Sequence, residues 1–236
     1  MPDIFMNSYK LGIDIGSTTV KIALIDDNNT VIFSDYERHF ANIQETLQSL
    51  LEKAVASVGN FNCHPVITGS GGLTLAKHLE VPFTQEVVAV STALQAEAPQ
   101  CDVAIELGGE DAKIIYFTNG VDQRMNGICA GGTGSFFEDQ MSRVGCKLED
   151  YSALVEQAQS IPRLSGRCAV FAKTDIIHRQ QEGVSTPDIL LGLCYAMIRN
   201  YKATIVRRLP VCKPVVFCGG VTCNSGVIRA IRDVFD

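Results

Sequence analysis

The chain has 236 residues, of which 46% are hydrophobic and 19% charged, so its composition is that of a folded globular protein and excludes a disordered chain. Its formal net charge is −6 with no long basic run, which disfavours nucleic acid as a partner because phosphate backbones are held by clustered Lys and Arg. The sequence contains no apolar stretch long enough for a membrane span and no signal-peptide pattern at residues 1–10, so we expect a cytoplasmic protein without a membrane partner.

The first part of the chain predicts an α/β lobe over residues 1–99. Three apolar segments separated by turn residues predict an antiparallel meander of strands, and apolar residues at helical spacing then predict a helix. Next come a strand that ends in glycines and then a second helix. In chain order, the predicted elements are strands at 10–17, 19–27 and 30–40, a helix at 42–58, a strand at 65–72 and a helix at 84–98.

The pattern of strands followed by helices then starts again, which predicts a second, similar lobe over residues 100–236. Two adjacent strands open it, and three segments that turn into helices come next. A strand ending in glycines and a last helix complete it. The predicted elements are strands at 101–111 and 112–120, helical segments within 126–144, 166–183 and 187–209, a strand at 213–221 and a helix at 225–235.

Each lobe contains a turn in which a carboxylate at the end of a strand precedes a glycine. We call residues 16–19 the first glycine loop and residues 108–111 the second; Asp14 and Glu106 come just before them. Glycine lets backbone N–H groups approach a phosphate, and carboxylates at strand ends are suited to holding Mg²⁺ through water. An ordinary hairpin glycine is the alternative for either turn alone. The candidate phosphate-binding residues are Gly16, Ser17, Thr18, Thr19, Lys21, Gly108 and Gly109.

A third glycine-rich strand end, Gly219-Gly220 with Asn224 beyond it, accompanies the two loops. The sequence has neither the G-x-x-x-x-G-K-[ST] loop nor a G-x-G-x-x-G after a strand. The three motifs together resemble the actin-like ATPase superfamily, with its ribonuclease H-like lobes around a nucleotide cleft. That resemblance implies ATP and Mg²⁺ as ligands, phosphate binding by the first two motifs, and packing of the third motif on adenosine.

Two of the nine cysteines share a setting. Cys129 and Cys168 each follow a short polar or glycine stretch and directly precede a helical segment. A helix N-terminus favours negative charge, lowers the pKa of a thiol and stabilises a metal thiolate. One hypothesis is therefore two ligands of one metal centre, which requires a second subunit if four thiolates are needed. The alternative is that both thiols fill buried space.

Five segments along the chain resemble, in the same order, the activators of 2-hydroxyacyl-CoA dehydratases and the ATPase subunits of benzoyl-CoA reductase. These segments are GIDIGSTTVK, IELGGEDAKII, CAGGTGSF, GRCAVFAKTDI and FCGGVTCNSGV. The resemblance implies an ATPase in which Cys129 and Cys168 of each subunit bind one 4Fe–4S cluster across a homodimer. It further implies transfer of a low-potential electron to a dehydratase partner, with reduced ferredoxin or flavodoxin as the donor.

The glycines after Cys129 have a predicted second role near the nucleotide, which makes Gly131, Gly132, Thr133 and Gly134 candidate cofactor-binding residues. The candidate catalytic residues are Asp14, Glu106, Glu110 and Asp111.

Two features depart from the family pattern. The activators have Gly-Gly-Gln-Asp where this chain has Gly108-Gly109-Glu110-Asp111, which leaves open which side chain orients the attacking water. The closing glycine- and alanine-rich strand and helix are absent from the sequence, which predicts either a truncated second lobe or a piece of a longer, multi-domain activator. Two other functions stay open at this stage: a small-molecule kinase of the same superfamily without a cluster, and a non-catalytic nucleotide-binding module.

Overall fold

The computed structural model describes residues 7–118, 120–127, 131–166, 168–211 and 213–235. Contacts divide the chain into two compact units, Met1–Glu97 and Ala98–Asp236, which we call unit 1 and unit 2. No helix in the described ranges is both long and apolar enough to cross a membrane.

Over the residues described, unit 1 is a four-stranded sheet with three α-helices. Its strands are β1 (Ser8–Ile15), β2 (Thr19–Ile25), β3 (Val31–Arg38) and β4 (Asn62–Thr68), and its helices are α1 (Ile43–Val58), α2 (Gly72–His78) and α3 (Glu86–Glu97). The sheet order is β3-β2-β1-β4, with β1 antiparallel to β2 and parallel to β4. Burial alternates along β2, so one face of the strand packs on the core.

In its described residues, unit 2 contains a sheet of the same strand order and five α-helices. Its strands are β5 (Val103–Leu107), β6 (Ala112–Tyr116), β7 (Asp122–Met125) and β8 (Val215–Cys218), and its helices are α4 (Gly134–Arg143), α5 (Tyr151–Val155), α6 (Ala169–Gln181), α7 (Thr186–Tyr201) and α8 (Ser225–Phe235). The order β7-β6-β5-β8 places β5 antiparallel to β6 and parallel to β8, as β1 is to β2 and β4.

Helix α7 lies at the centre of the unit 2 core. Every residue from Ile189 to Ile198 is buried, because α5, α6 and α8 all pack against this helix. Ser185 caps its N-terminus by accepting a hydrogen bond from the Asp188 backbone N–H at 3.3 Å. Strand β5 is buried at all five positions. A strand buried on both faces reads as an apolar run, and Val103–Leu107 has this pattern except at Glu106.

The α/β class and the three-stranded meander of unit 1 are confirmed. The predicted helix at 187–209 is wrong in its last part: α7 ends at Tyr201 and continues as a π-helical turn over Lys202–Val206. The N–H of Arg207, at φ 59°, donates to the Lys202 carbonyl at 2.7 Å and closes this wider turn. Sequence reasoning also missed α2, α5 and β7.

Candidate functional site

The two glycine loops have the same backbone geometry. In the first loop the Gly16 N–H donates to the Thr19 carbonyl at 3.0 Å, and in the second the Gly108 N–H donates to the Asp111 carbonyl at 2.8 Å. The strand register is also the same, because Asp14 lies opposite Lys21 in unit 1 just as Glu106 lies opposite Lys113 in unit 2. Each loop is therefore a tight turn of equal length, preceded by a carboxylate that faces a lysine.

A glycine from the neighbouring parallel strand supports each loop. Gly69 follows β4 with φ +92°, and Gly219 follows β8 with φ +91°. A Cβ atom at Gly69 would lie 2.3 Å from the Ile15 carbonyl oxygen, and one at Gly219 would lie 2.3 Å from that of Leu107. Both positions thus need glycine for conformation and for space. Gly219 was a candidate for adenosine binding, whereas its equivalent Gly69 was not among the predicted site residues.

The carboxylate–lysine pair of the first loop is partly exposed. Lys21 Nζ lies 2.6 Å from Asp14 Oδ2, and the side chains are 43% and 27% exposed. The other carboxylate oxygen, Asp14 Oδ1, is buried and has no hydrogen-bond partner among the described residues. A buried carboxylate oxygen of this kind is suited to accepting a bond from a metal-bound water. Lys21, a candidate phosphate-binding residue, thus pairs with the carboxylate that precedes its own loop.

The pair in the second loop is buried. Lys113 Nζ lies 3.4 Å from Glu106 Oε1, with the side chains 4% and 11% exposed, and 3.8 Å from Asp111 Oδ2. Lys113 was not predicted as a site residue, although it lies in the same motif as the loop. Glu110 is exposed at the tip of the loop.

His39 packs beside the first glycine loop and makes hydrogen bonds to its backbone. It is 8% exposed, and its backbone N–H donates to the Thr18 carbonyl at 3.2 Å. Its Nε2 lies 3.2 Å from the Gly16 carbonyl oxygen, and its Nδ1 accepts from the Ala41 N–H at 3.1 Å. These are the hydrogen bonds of the neutral tautomer with its proton on Nε2. Ser17, Thr18 and Thr19 follow Gly16 with exposed or half-buried side chains.

Asn126 holds the second loop in a similar way. Its Oδ1 accepts from the Ala112 N–H at 2.8 Å, and its Nδ2 donates to the Glu110 carbonyl at 2.9 Å. Neither His39 nor Asn126 was singled out from the sequence, because each lies far along the chain from the loop it contacts.

The segment after Cys129 joins the second loop directly. The Gly134 N–H donates to the Gly108 carbonyl at 2.9 Å, and the Ser135 N–H donates to the Gly109 carbonyl at 2.8 Å. The Ser135 hydroxyl donates to the same Gly109 carbonyl at 2.8 Å. Just before these residues lie Gly131, Gly132 with φ +99°, and the buried N-cap residue Thr133. The N-terminus of α4 is therefore attached to the loop by three hydrogen bonds.

Of the two candidate metal ligands, Cys129 lies outside the described residues. Cys168 is half-buried and is the N-cap residue of α6, where its side chain makes no capping hydrogen bond. Val170 and Phe171 follow it on the helix with 69% and 65% of their surface exposed. Within the described ranges, no three His, Cys, Asp or Glu side chains group together as they would around a metal ion.

The third glycine motif leads into α8. Gly220–Cys223 forms a 3₁₀ turn, and Asn224 Oδ1 accepts from the N–H groups of Gly226 at 2.9 Å and Val227 at 3.2 Å. Asn224 thus caps the helix, and its contact with adenosine stays a prediction. An open cavity of about 530 Å³ adjoins this turn. Its lining residues are Thr222, Cys223, Ser225, Ile228, Arg229, Arg232 and Asp233.

This fold is that of the actin-like ATPases. The structure superposes with a TM-score of 0.84 on component A of the (R)-2-hydroxyglutaryl-CoA dehydratase of Acidaminococcus fermentans, at 24% identity over 97% of this chain and 89% of that one. It superposes with a TM-score of 0.82 on the activator of the 2-hydroxyisocaproyl-CoA dehydratase of Clostridium difficile with bound ADPNP, at 24% identity over 96% of this chain and 85% of the other.

The sequence matches the model of the BadF/BadG/BcrA/BcrD ATPase family over residues 11–236. Among curated proteins, it is 29% identical to the activator of lactoyl-CoA dehydratase from Anaerotignum propionicum over 96% of this chain and 88% of that protein. The chain therefore belongs to the BadF/BadG/BcrA/BcrD ATPase family, as the sequence motifs predicted.

Proposed function

We propose that this protein is an ATP-hydrolysing activator that passes a low-potential electron to a 2-hydroxyacyl-CoA dehydratase or a partner like benzoyl-CoA reductase. The observation that carries the proposal is the attachment of α4 to the second glycine loop by the backbone of Gly134 and Ser135. It connects a candidate phosphate loop to the segment that follows Cys129. Family membership supports the same function.

In this proposal both glycine loops bind the phosphates of ATP, and Asp14 and Glu106 hold Mg²⁺ through its waters. The buried Oδ1 of Asp14, which has no hydrogen-bond partner among the described residues, fits this role. Backbone N–H groups of residues 17–19 and 109–111, with the hydroxyls of Ser17, Thr18 and Thr19, supply donors to phosphate oxygens. Lys21, which is partly exposed, remains near enough to the first loop to balance phosphate charge.

We assign the orientation of the attacking water to Glu110. Its side chain is exposed, while Asn126 fixes its backbone carbonyl. Asp111 is less suited to that role because its carboxylate lies 3.8 Å from the Lys113 ammonium. Glu110 stands where the related activators have a glutamine, and a carboxylate can accept the hydrogen bond of a water as a glutamine oxygen can.

We propose Cys129 and Cys168 as the ligands of a 4Fe–4S cluster, and a homodimer to supply four thiolates. The setting of Cys168 fits this group, because the first N–H groups of α6 lack intrahelical partners and favour a negatively charged thiolate. A cluster shared by two chains does not require three ligands within one chain. When bound, it would supply the low-potential electron, with reduced ferredoxin or flavodoxin as donor and the cytoplasm as the compartment.

The experiment is anaerobic purification of the full chain, followed by measurement of iron, acid-labile sulfide, molecular mass and ATP hydrolysis. We expect about four iron atoms per dimer, the content of one 4Fe–4S cluster. Cys168→Ser should lose the iron, whereas Cys223→Ser, which changes an exposed thiol outside the proposed ligand set, should retain it. An iron-free protein that transfers phosphate to a small acceptor would instead establish a kinase. Nucleotide binding without turnover would establish a binding module.

A further inference from the structure

Lys113 is the most buried ion-paired lysine of the structure's described part, at 3% exposed. Its ammonium lies between two carboxylates, 3.4 Å from Glu106 Oε1 and 3.8 Å from Asp111 Oδ2. Removing an ammonium from water is unfavourable unless negative groups surround it. The two carboxylates that stabilise it belong to the strand end and the second glycine loop, so the lysine connects the two ends of that turn.

The backbone of Lys113 is fixed as firmly as its side chain. The hydroxyl of Tyr201, a residue that is 1% exposed, donates to the Lys113 carbonyl at 2.8 Å. Burial raises the pKa of Tyr201 well above its usual value, and the nearby Glu106 carboxylate acts in the same direction. The tyrosine therefore stays protonated and remains a hydrogen-bond donor at neutral pH. A long, flexible lysine side chain is thereby restricted at both ends.

The charges explain what this arrangement does. Glu106 and Asp111 without a cation between them would repel each other and turn apart. With Lys113 they share one positive charge, which leaves a net negative charge on the loop and keeps both carboxylates in fixed directions. Groups that orient metal-binding side chains commonly contribute about 10- to 100-fold to metal affinity.

We propose that Lys113 is a positioning residue that orients Glu106 and Asp111 for the binding of Mg²⁺-nucleotide at the second glycine loop. It does not itself contact the reacting atoms. This proposal rests on the proposed ATPase function, which it deepens by adding a residue that acts through the two carboxylates.

The test uses the full chain with Lys113→Met and Lys113→Arg. The control is Lys53→Met, because Lys53 also bridges two carboxylates, Asp35 at 3.1 Å and Glu37 at 2.6 Å, but at an exposed site outside the loops. The Mg²⁺ concentration for half-maximal activity is measured in ATP hydrolysis, and separately in binding of the non-hydrolysable analogue ADPNP. We expect Lys113→Met to raise this concentration about tenfold or more, Lys113→Arg to restore it most of the way, and Lys53→Met to leave it unchanged.

Several outcomes separate this proposal from the function on which it rests. A folded Lys113→Met variant with the wild-type Mg²⁺ dependence overturns the role of the lysine and leaves the ATPase intact. If the wild-type protein binds ADPNP but does not hydrolyse ATP, the proposed ATPase function is wrong. The Mg²⁺ dependence of ADPNP binding still tests the role of Lys113. A wild type that binds no nucleotide overturns both. Should Lys113→Met not melt cooperatively, Lys113→Gln replaces it. If neither neutral variant folds, Lys113 is a structural residue and the positioning role is overturned.

Discussion

The two glycine loops differ in their surroundings although their backbones have the same turn. In unit 1 the Asp14–Lys21 pair is partly exposed to water, whereas in unit 2 the Glu106–Lys113 pair is almost fully buried. Water screens the first pair and leaves it weak; the second is poorly screened and strongly dependent on both partners. The same strand register therefore gives a partly exposed charge pair in one unit and a buried one in the other.

The difference originates in how the strands are covered. Burial alternates over the last four residues of β1, from Gly12 to Ile15, but it is continuous along β5. A strand with a single buried face leaves alternate side chains near solvent, while a strand covered on both faces buries every side chain. The following predictions use substitutions at matched positions of the two units, and begin with the largest expected effect.

Substitution of the supporting glycine should destabilise both units equally. Gly69→Ala and Gly219→Ala each place a Cβ atom 2.3 Å from a backbone oxygen at a positive φ. We expect each to lower the free energy of unfolding by about 3–5 kcal/mol, the sum of backbone strain and a steric overlap. Denaturant unfolding measures this loss. Gly59→Ala is the control, since its φ is +78° with open space around the new methyl group; a loss no larger than in the control would contradict the prediction.

The two loop lysines, Lys113 and Lys21, should contribute unequally to the free energy of unfolding. We expect Lys113→Met to lower the free energy of unfolding by about 3–5 kcal/mol, because it leaves Glu106 buried beside a methyl group. Lys21→Met should lower it by about 1 kcal/mol or less, since its pair is partly exposed. Urea titration of both variants in the same buffer gives the comparison. Equal losses would show that the burial of the second pair has no energetic consequence.

Alkaline pH should destabilise unit 2. Burial raises the pKa of the Cys194 thiol to about 12 and raises that of Tyr151 as well. A thiol that ionises near pH 9 in the unfolded chain and near 12 in the folded one contributes stability that is fully present below pH 9 and lost as the pH rises toward 12. The slope reaches about 1.4 kcal/mol per pH unit for one group. Cys194→Ala should show a shallower loss between pH 9 and 11, measured by urea unfolding; an unchanged slope would exclude Cys194 as its source.

The smallest predicted effect concerns the hydroxyl that fixes Lys113. Tyr201→Phe removes the hydrogen bond to the Lys113 carbonyl without changing the shape of the ring. We expect a loss of about 1 kcal/mol in unfolding free energy, typical of one buried hydrogen bond. Tyr9→Phe in unit 1, whose hydroxyl accepts an exposed hydrogen bond from Asn7, is the matched control and should change stability less.

Much of the fold follows from local sequence patterns. The strands that lead into the two glycine loops were predicted from short apolar runs, and α6 begins directly after Cys168 as the sequence indicated. Helix α2 was missed because seven residues are too few to display a helical period. Strand β7 was missed because Asp122–Met125 has little apolar character and lies at an edge, where pairing with β6 rather than burial holds it in place.

The site could be predicted only as far as its contacts are local. Gly16 and Gly108 stand out in the sequence, but the need for glycine at position 69 arises from the pairing of β4 with β1, across a long interval of chain. Likewise, alternation along β6 indicates that Lys113 shares a side of the strand with Ile115, but not that both side chains are buried. Burial is a property of the packed unit, and it is burial that distinguishes Lys113 from Lys21.

The attachment of α4 to the second glycine loop has a mechanical consequence. Gly134 and Ser135 bond the helix to the carbonyls of Gly108 and Gly109, and α4 in turn packs against α6, the helix that starts after Cys168. An α-helix resists bending over its length, so displacement of the loop would translate α4 as a rigid rod instead of being absorbed locally. Within unit 2, a displacement of the loop would therefore reach α6 through α4, and with it the backbone beside the Cys168 thiol.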